Sequence, residues 1–209
     1  MESVDYLTHE VLRLAGNVRG KRVLELGYAK EALSSSFAAQ GATPILIEES
    51  KLRFAEIKRF QEQSELKFEI RQNELADLAF CPAESIDLAV SAISFSGAKD
   101  IARVFRQLQR VLKDQGILVF GILHPLTLHF SSDPAGDGKV GYGSREMIDG
   151  SRLNGTFPFP LPEKVAIPSF SETFSLLKRT GFWIDQILEL PAPDNQVRYP
   201  EIMLIKAHK

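Results

Sequence analysis

Five short, nearly continuous apolar runs, at 22–26, 44–47, 67–71, 86–90 and 117–123, alternate with stretches whose apolar residues fall at helical spacing. This alternation constrains the fold more than any other feature. Strand, helix and strand in succession make a parallel crossover, which is right-handed in nearly every known case. Strands without polar alternation need cover on both faces. The expected architecture is therefore α/β, a mostly parallel sheet with helices on both faces. The clearest helix begins after Asp100, a candidate N-cap. It carries Ile101, Val104, Phe105, Leu108, Val111 and Leu112 on one stripe, and Gly116 is expected as its left-handed C′ residue. A later helix opens on a capping box, Ser169 with Glu172, and closes at Gly181.

Two further strands are expected at 182–190 and 201–207. Only the loop from Pro191 to Pro200 joins them. A parallel crossover needs about a dozen residues or more, so the last strand should run antiparallel to the one before it. The expected sheet thus has seven strands.

The chain has 209 residues, the size of one domain. Residues 124–168 stand apart, rich in proline and glycine with Phe130, Tyr142, Phe157 and Phe159 between them. Such a segment reads as an ordered lid inserted in a single domain spanning 1–209. The net charge of −2 provides no broad basic field, so no nucleic-acid partner is expected. The single cysteine, Cys81, excludes an internal disulfide framework. No apolar run approaches a membrane span, and the first residues do not read as a signal peptide, so a cytoplasmic location without membrane contact is expected.

Two features point to a nucleotide-type cofactor. Glu25-Leu26-Gly27-Tyr28-Ala29-Lys30-Glu31-Ala32 lies where the first strand turns into the first crossover helix. Small residues there let backbone amides approach a ligand. Glu48 closes the second strand 21 positions after Gly27, where a carboxylate can accept from a ribose diol. These residues alone leave open a nicotinamide dinucleotide, because Gly27, Ala29 and Ala32 imitate a dinucleotide fingerprint, or S-adenosylmethionine. His124 follows the fifth strand at the rim where a substrate should sit and is the candidate base; His129 is a second candidate for that side. Tyr142, Arg145 and Arg152 could hold an acidic or aromatic small molecule. The spacing of His124, His129, Asp133 and Asp137 matches no known metal site, and no metal is expected.

Several segments, in order, resemble the class I S-adenosylmethionine-dependent methyltransferases of small-molecule type. Val23-Leu24-Glu25-Leu26-Gly27 resembles the first motif, and Leu46-Ile47-Glu48-Glu49-Ser50 the ribose motif. The segment from Asn73 to Phe80 is similar to the stretch beside the adenine. Ser85-Ile86-Asp87-Leu88-Ala89-Val90-Ser91 resembles the fourth-strand motif, and 110–119 closely matches the helix-end and fifth-strand signature. The resemblance implies a Rossmann-like methyltransferase fold and methyl transfer to a small-molecule acceptor. It implies that Glu25 faces the methionine ammonium and that Gly27, Tyr28 and Ala29 pack against the methionine part. Glu48 would hold the ribose, Glu74 would accept from the adenine amino group and the Leu75 amide would donate to the ring. Ser91 would lie beside the methionine group. The chain departs from the family at Ala29 and Glu31, where glycine is usual, and at Glu49, where an apolar residue usually packs on the adenine. Those departures motivate a rival expectation, the same fold without catalysis as a partner or sensor. A nicotinamide-dependent oxidoreductase is the third, and an antiparallel last strand would disfavour it.

Overall fold

The computed structural model describes residues 6–27, 32–127, 142, 146–153, 161–191 and 200–209. A seven-stranded sheet has the order β3-β2-β1-β4-β5-β9-β8. Its strands are β1 (Arg22–Leu26), β2 (Thr43–Ile47), β3 (Glu69–Arg71), β4 (Ile86–Ser91), β5 (Leu112–Leu123), β8 (Trp183–Pro191) and β9 (Pro200–His208). A separate antiparallel pair, β6 (Ile148–Asp149) and β7 (Lys164–Val165), lies within the 124–168 region. Strands β1 to β5 pair in parallel, and β9 runs antiparallel to both β5 and β8. The antiparallel last strand is as the short proline-rich connection requires.

Helices α1 (Tyr6–Ala15) and α2 (Leu33–Ala39) pack with Val23, Leu88, Val90 and Val119 on one face of the sheet. Helix α3 (Lys51–Gln63) closes its own small cluster through Ile57, Leu46 and Phe68. The opposite face, with Leu24, Ala89, Leu118 and Phe120, is covered by α4 (Ile101–Val111) and α5 (Phe170–Arg179). Both faces of the central strands are thus dry, which is why their sequences carry no alternation.

Asp100 caps α4, its Oδ1 accepting from the Arg103 N–H at 2.8 Å. Ser169 and Glu172 form the expected capping box on α5, and Gly181 follows it at φ +82°. The end of α4 differs from expectation. Leu112 leaves the helix directly in extended conformation and pairs with Ile86, while Ile117 pairs with Leu88. Residues 113–116 bulge between these pairings, and Gln115, not Gly116, takes the left-handed conformation at φ +58°. Lys113 anchors the bulge to Asp87 at 2.6 Å. Gly116 is there for space, since a Cβ would stand 2.8 Å from the Lys113 carbonyl oxygen.

The described parts of 124–168 are not loose. Ile148, Leu153, Leu161, Val165 and Ile167 are buried in the same core as α1 and α2. The Ala166 N–H donates to the Ser96 carbonyl at 2.7 Å, and the Arg53 guanidinium donates to the Leu161 carbonyl at 3.2 Å.

Candidate active site

The strand order reverses between β1 and β4, and in open α/β sheets ligands bind beyond the carboxyl ends of the strands at such a switch point. Glu25, Gly27, Glu48 and Ser91 all stand at those ends. Register places Glu25 beside Leu46 on one side and Val90 on the other. The Gly27 N–H donates to the Ile47 carbonyl at 2.7 Å, which ties the first turn to the end of β2.

Glu25 is fully buried. Its Oε1 accepts from the Leu33 N–H at 3.0 Å, and its Oε2 from the Ser34 N–H at 2.6 Å and the Ser34 hydroxyl at 2.5 Å. The carboxyl thus caps α2 from the neighbouring strand and satisfies amides that a helix start leaves unpaired. Burial pushes its pKa up to about 7, against the downward pull of the Ser34 and Leu33 donors; Glu48 adds a smaller upward push. Gly27 has φ +72°, a conformation that favours glycine. Ser94 packs against it so closely that a Cβ at Gly27 would fall 2.0 Å from the Ser94 hydroxyl oxygen.

Glu48 is buried, and its Oε1 accepts from the Ser50 N–H at 2.7 Å. Ser91 is completely buried, and among the described residues its hydroxyl meets no hydrogen-bond partner. An orphaned hydroxyl at a switch point is an unmet need that a ligand can meet. Glu74 and Leu75 lie one step outward, lining a small cavity of about 70 Å³ together with Glu49. Here the structure adds an unexpected contact. The Glu49 side chain does not simply extend into solvent; its Oε1 accepts from the Leu75 N–H at 2.6 Å. The amide expected to donate to an adenine ring therefore already has an acceptor within the chain.

His124 is fully buried. Its Nδ1 accepts from the Leu126 N–H at 3.1 Å, so the proton belongs on Nε2, which lies 2.9 Å from Glu189 Oε1. With one nitrogen accepting and the other donating, the ring has no vacant lone pair to take a proton in this arrangement. It holds β5, β8 and the following turn together, and the Phe170 ring packs against it edge-on. Tyr142 sits at the start of α5, where its hydroxyl accepts from the Phe170 N–H at 3.4 Å. Tyr28, Ala29, Glu31, His129 and Arg145 lie outside the described residues, and Arg152 belongs to the short helical turn Gly150–Leu153.

Sequence reasoning missed Ser34, Ser94 and Arg110. The Arg110 guanidinium donates to the carbonyls of Leu78 at 2.7 Å and Cys81 at 2.8 Å. It thereby pins the loop that presents Glu74 and Leu75. Arginine is suited to this because its rigid fork reaches two acceptors at once. Its place in the most specific motif, 110–119, was the available signal. Ser34 and Ser94 gave none.

Compared with known proteins, residues 3–185 match the model of a family described as a methyltransferase domain. The chain belongs to this methyltransferase family. The resemblance read from the first, ribose and fifth-strand motifs holds at the level of family and fold. A malonyl-[acyl-carrier protein] O-methyltransferase of Methylovorus sp. is 33% identical over 104 residues, 49% of this chain and 35% of that protein. The chain thus spans about a third of that relative's length. Among solved structures, an S-adenosylmethionine-dependent methyltransferase from Listeria monocytogenes superposes with a TM-score of 0.76 at 20% identity, covering 97% of both chains. A Burkholderia thailandensis 1,6-didemethyltoxoflavin-N1-methyltransferase, with 1,6-didemethyltoxoflavin and S-adenosylhomocysteine bound, gives 0.69 at 11% identity over 98% of this chain and 79% of its own. These neighbours show that the chain has the class I methyltransferase fold. The antiparallel β9 completes that topology and counts against a nicotinamide-dependent oxidoreductase. Among the described residues no helix is long and apolar enough to cross a membrane.

Proposed function

We propose that this methyltransferase moves a methyl group from S-adenosylmethionine to a small-molecule acceptor. The observation that carries the reading is the conjunction of Glu48, the Gly27 turn and the orphaned Ser91 hydroxyl on three adjacent strand ends at the switch point. The residues present fit the cofactor. Glu48 would accept from the ribose hydroxyls, the Gly27 backbone would face the methionine part, and Ser91 would gain the partner it lacks. Glu74 and the Leu75 amide would meet the adenine, the latter once Glu49 releases it. Glu25, which holds the start of α2, would offer its carboxylate to the methionine ammonium. When bound, the cofactor supplies a methyl group on a positively charged sulfur.

The chain's own contribution is binding, orientation and exclusion of water. Alignment of two reactants alone removes about 7–11 kcal/mol of barrier, so no general base is obligatory. His124 is left out of the chemistry because both its nitrogens are engaged. The 124–168 segment would form the acceptor side, since Ala166 and Leu161 of it are held by Ser96 and Arg53. A small-molecule acceptor agrees with a chain that has no basic field. Glu49 favours a second reading, the same fold binding a partner or signal without turnover, because it occupies a position the cofactor needs.

Titration calorimetry with S-adenosylhomocysteine tests the proposal. One site is expected in the wild type, with affinity falling at least about tenfold in Glu48→Ala as charge-assisted hydrogen bonds disappear. No heat at millimolar ligand, in the wild type and in Glu49→Leu alike, would overturn it and leave the non-catalytic reading.

A further inference from the structure

A cavity of about 550 Å³ opens between α4 and α5, on the sheet face away from α1 and α2. Pockets that hold small molecules fall in this size range. Its floor is apolar. The rings of Phe95, Phe105 and Phe120 pack on one another with centroids 5.2–5.6 Å apart, and Ile122 extends that surface along β5. The space exists because the facing walls carry small side chains, Ala98 and Ala102 on one side and Ser171 and Ser175 on the other. Larger residues at these places would close the groove as an ordinary helix–helix contact.

Four charged residues stand at its margin: Lys99, Asp100, Glu172 and Arg179. The acids are committed elsewhere. Asp100 accepts from the Arg103 N–H as the cap of α4, and Glu172 accepts from the Ser169 N–H at 3.1 Å in the capping box of α5. The cations are not. Among the described residues, neither the Lys99 nor the Arg179 side chain makes a hydrogen bond or ion pair. The cavity therefore presents an aromatic and aliphatic floor under two uncommitted positive charges. Ala98, Lys99 and Asp100 also line the small cavity beside Glu49, Glu74 and Leu75, so the two spaces share a wall.

We propose that this cavity is a second ligand site, for an amphiphilic carboxylate: an apolar chain on the phenylalanine floor and its acid group at Lys99 and Arg179. The site is distinct from the crevice at Gly27 and Glu48 and requires no cofactor. Decanoate, kept below its micellar concentration, is the probe, and calorimetry on the full chain without cofactor is the measurement. The wild type is expected to bind it at one site. Decan-1-ol, with the same chain and no charge, should bind about tenfold more weakly, and so should decanoate to the double variant Lys99→Gln/Arg179→Gln. Both substituted residues are exposed, so folding should be unaffected. Ala102→Phe should abolish binding by filling the space, with an unchanged circular dichroism spectrum and a cooperative urea transition as the control for an intact fold. Absence of decanoate binding in the wild type would overturn the proposal. So would equal affinity for the acid and the alcohol, or no effect of the double variant. Each result is independent of whether the crevice binds S-adenosylhomocysteine.

Discussion

Replacing Glu25 by Gln should change how the stability of the protein depends on pH. The carboxyl ionises near 4.5 when exposed in the unfolded chain and near 7 in the fold, because burial disfavours the charged form more than Ser34 and Leu33 favour it. A raised folded pKa stabilises the fold fully below the unfolded value. That stabilisation is lost as pH rises through the folded value. Over the whole window the loss is about 3 kcal/mol, taking about 1.4 kcal/mol for each pKa unit. Between pH 5 and pH 8 about 2.5 kcal/mol of it should be measurable. Gln keeps the volume and one acceptor oxygen and carries no charge at any pH. Urea unfolding of both proteins at half-unit pH steps gives the comparison. The difference between the two curves cancels every other titrating group. The wild type should lose about 2.5 kcal/mol relative to Glu25→Gln across that range. Parallel curves would refute the reasoning, since they would mean that the α2 donors hold the carboxylate ionised despite burial.

Four shorter predictions follow from the same contacts. If the ammonium of a bound S-adenosylhomocysteine lies near Glu25, binding at pH 7 should release up to about half a proton, and calorimetry in buffers of different ionisation enthalpy should detect it. Glu49→Leu keeps an apolar stem and frees the Leu75 amide; S-adenosylhomocysteine should bind about fivefold tighter, since an exposed carboxylate acceptor contributes about 1 kcal/mol. Gly27→Ala combines a positive φ with a Cβ in the space of Ser94, and should lower the unfolding free energy by about 2 kcal/mol or more and weaken cofactor binding. His124→Asn should lower the unfolding free energy by about 1–3 kcal/mol by leaving Glu189 and the Leu126 amide without the imidazole. Its S-adenosylhomocysteine affinity should stay within twofold of the wild type, as calorimetry would show.

The layered sheet was legible because its cause is local. Apolar runs such as 22–26 and 117–123 have no polar alternation, and that pattern has no other stable use in a chain of this length. The antiparallel last strand followed from arithmetic on the Pro191–Pro200 connection. Caps were legible for the same reason, as Asp100 and Ser169 act within one turn of themselves. The bulge after α4 was not. Its left-handed residue is Gln115 because pairing with β4 and the Lys113–Asp87 ion pair fix the path, and pairing partners distant in sequence leave no local sign.

Sequence alone determined the positions of Gly27 and Glu48 at the ends of β1 and β2. Which side chains stand free there was decided only by tertiary structure. Glu49 lies 26 residues from the amide it holds, Glu189 lies 65 from His124, and Ser94 reaches Gly27 from the far end of β4. Hydrogen-bond partners are set by distance in space, and folding brings together groups whose separation along the chain carries no trace of that distance.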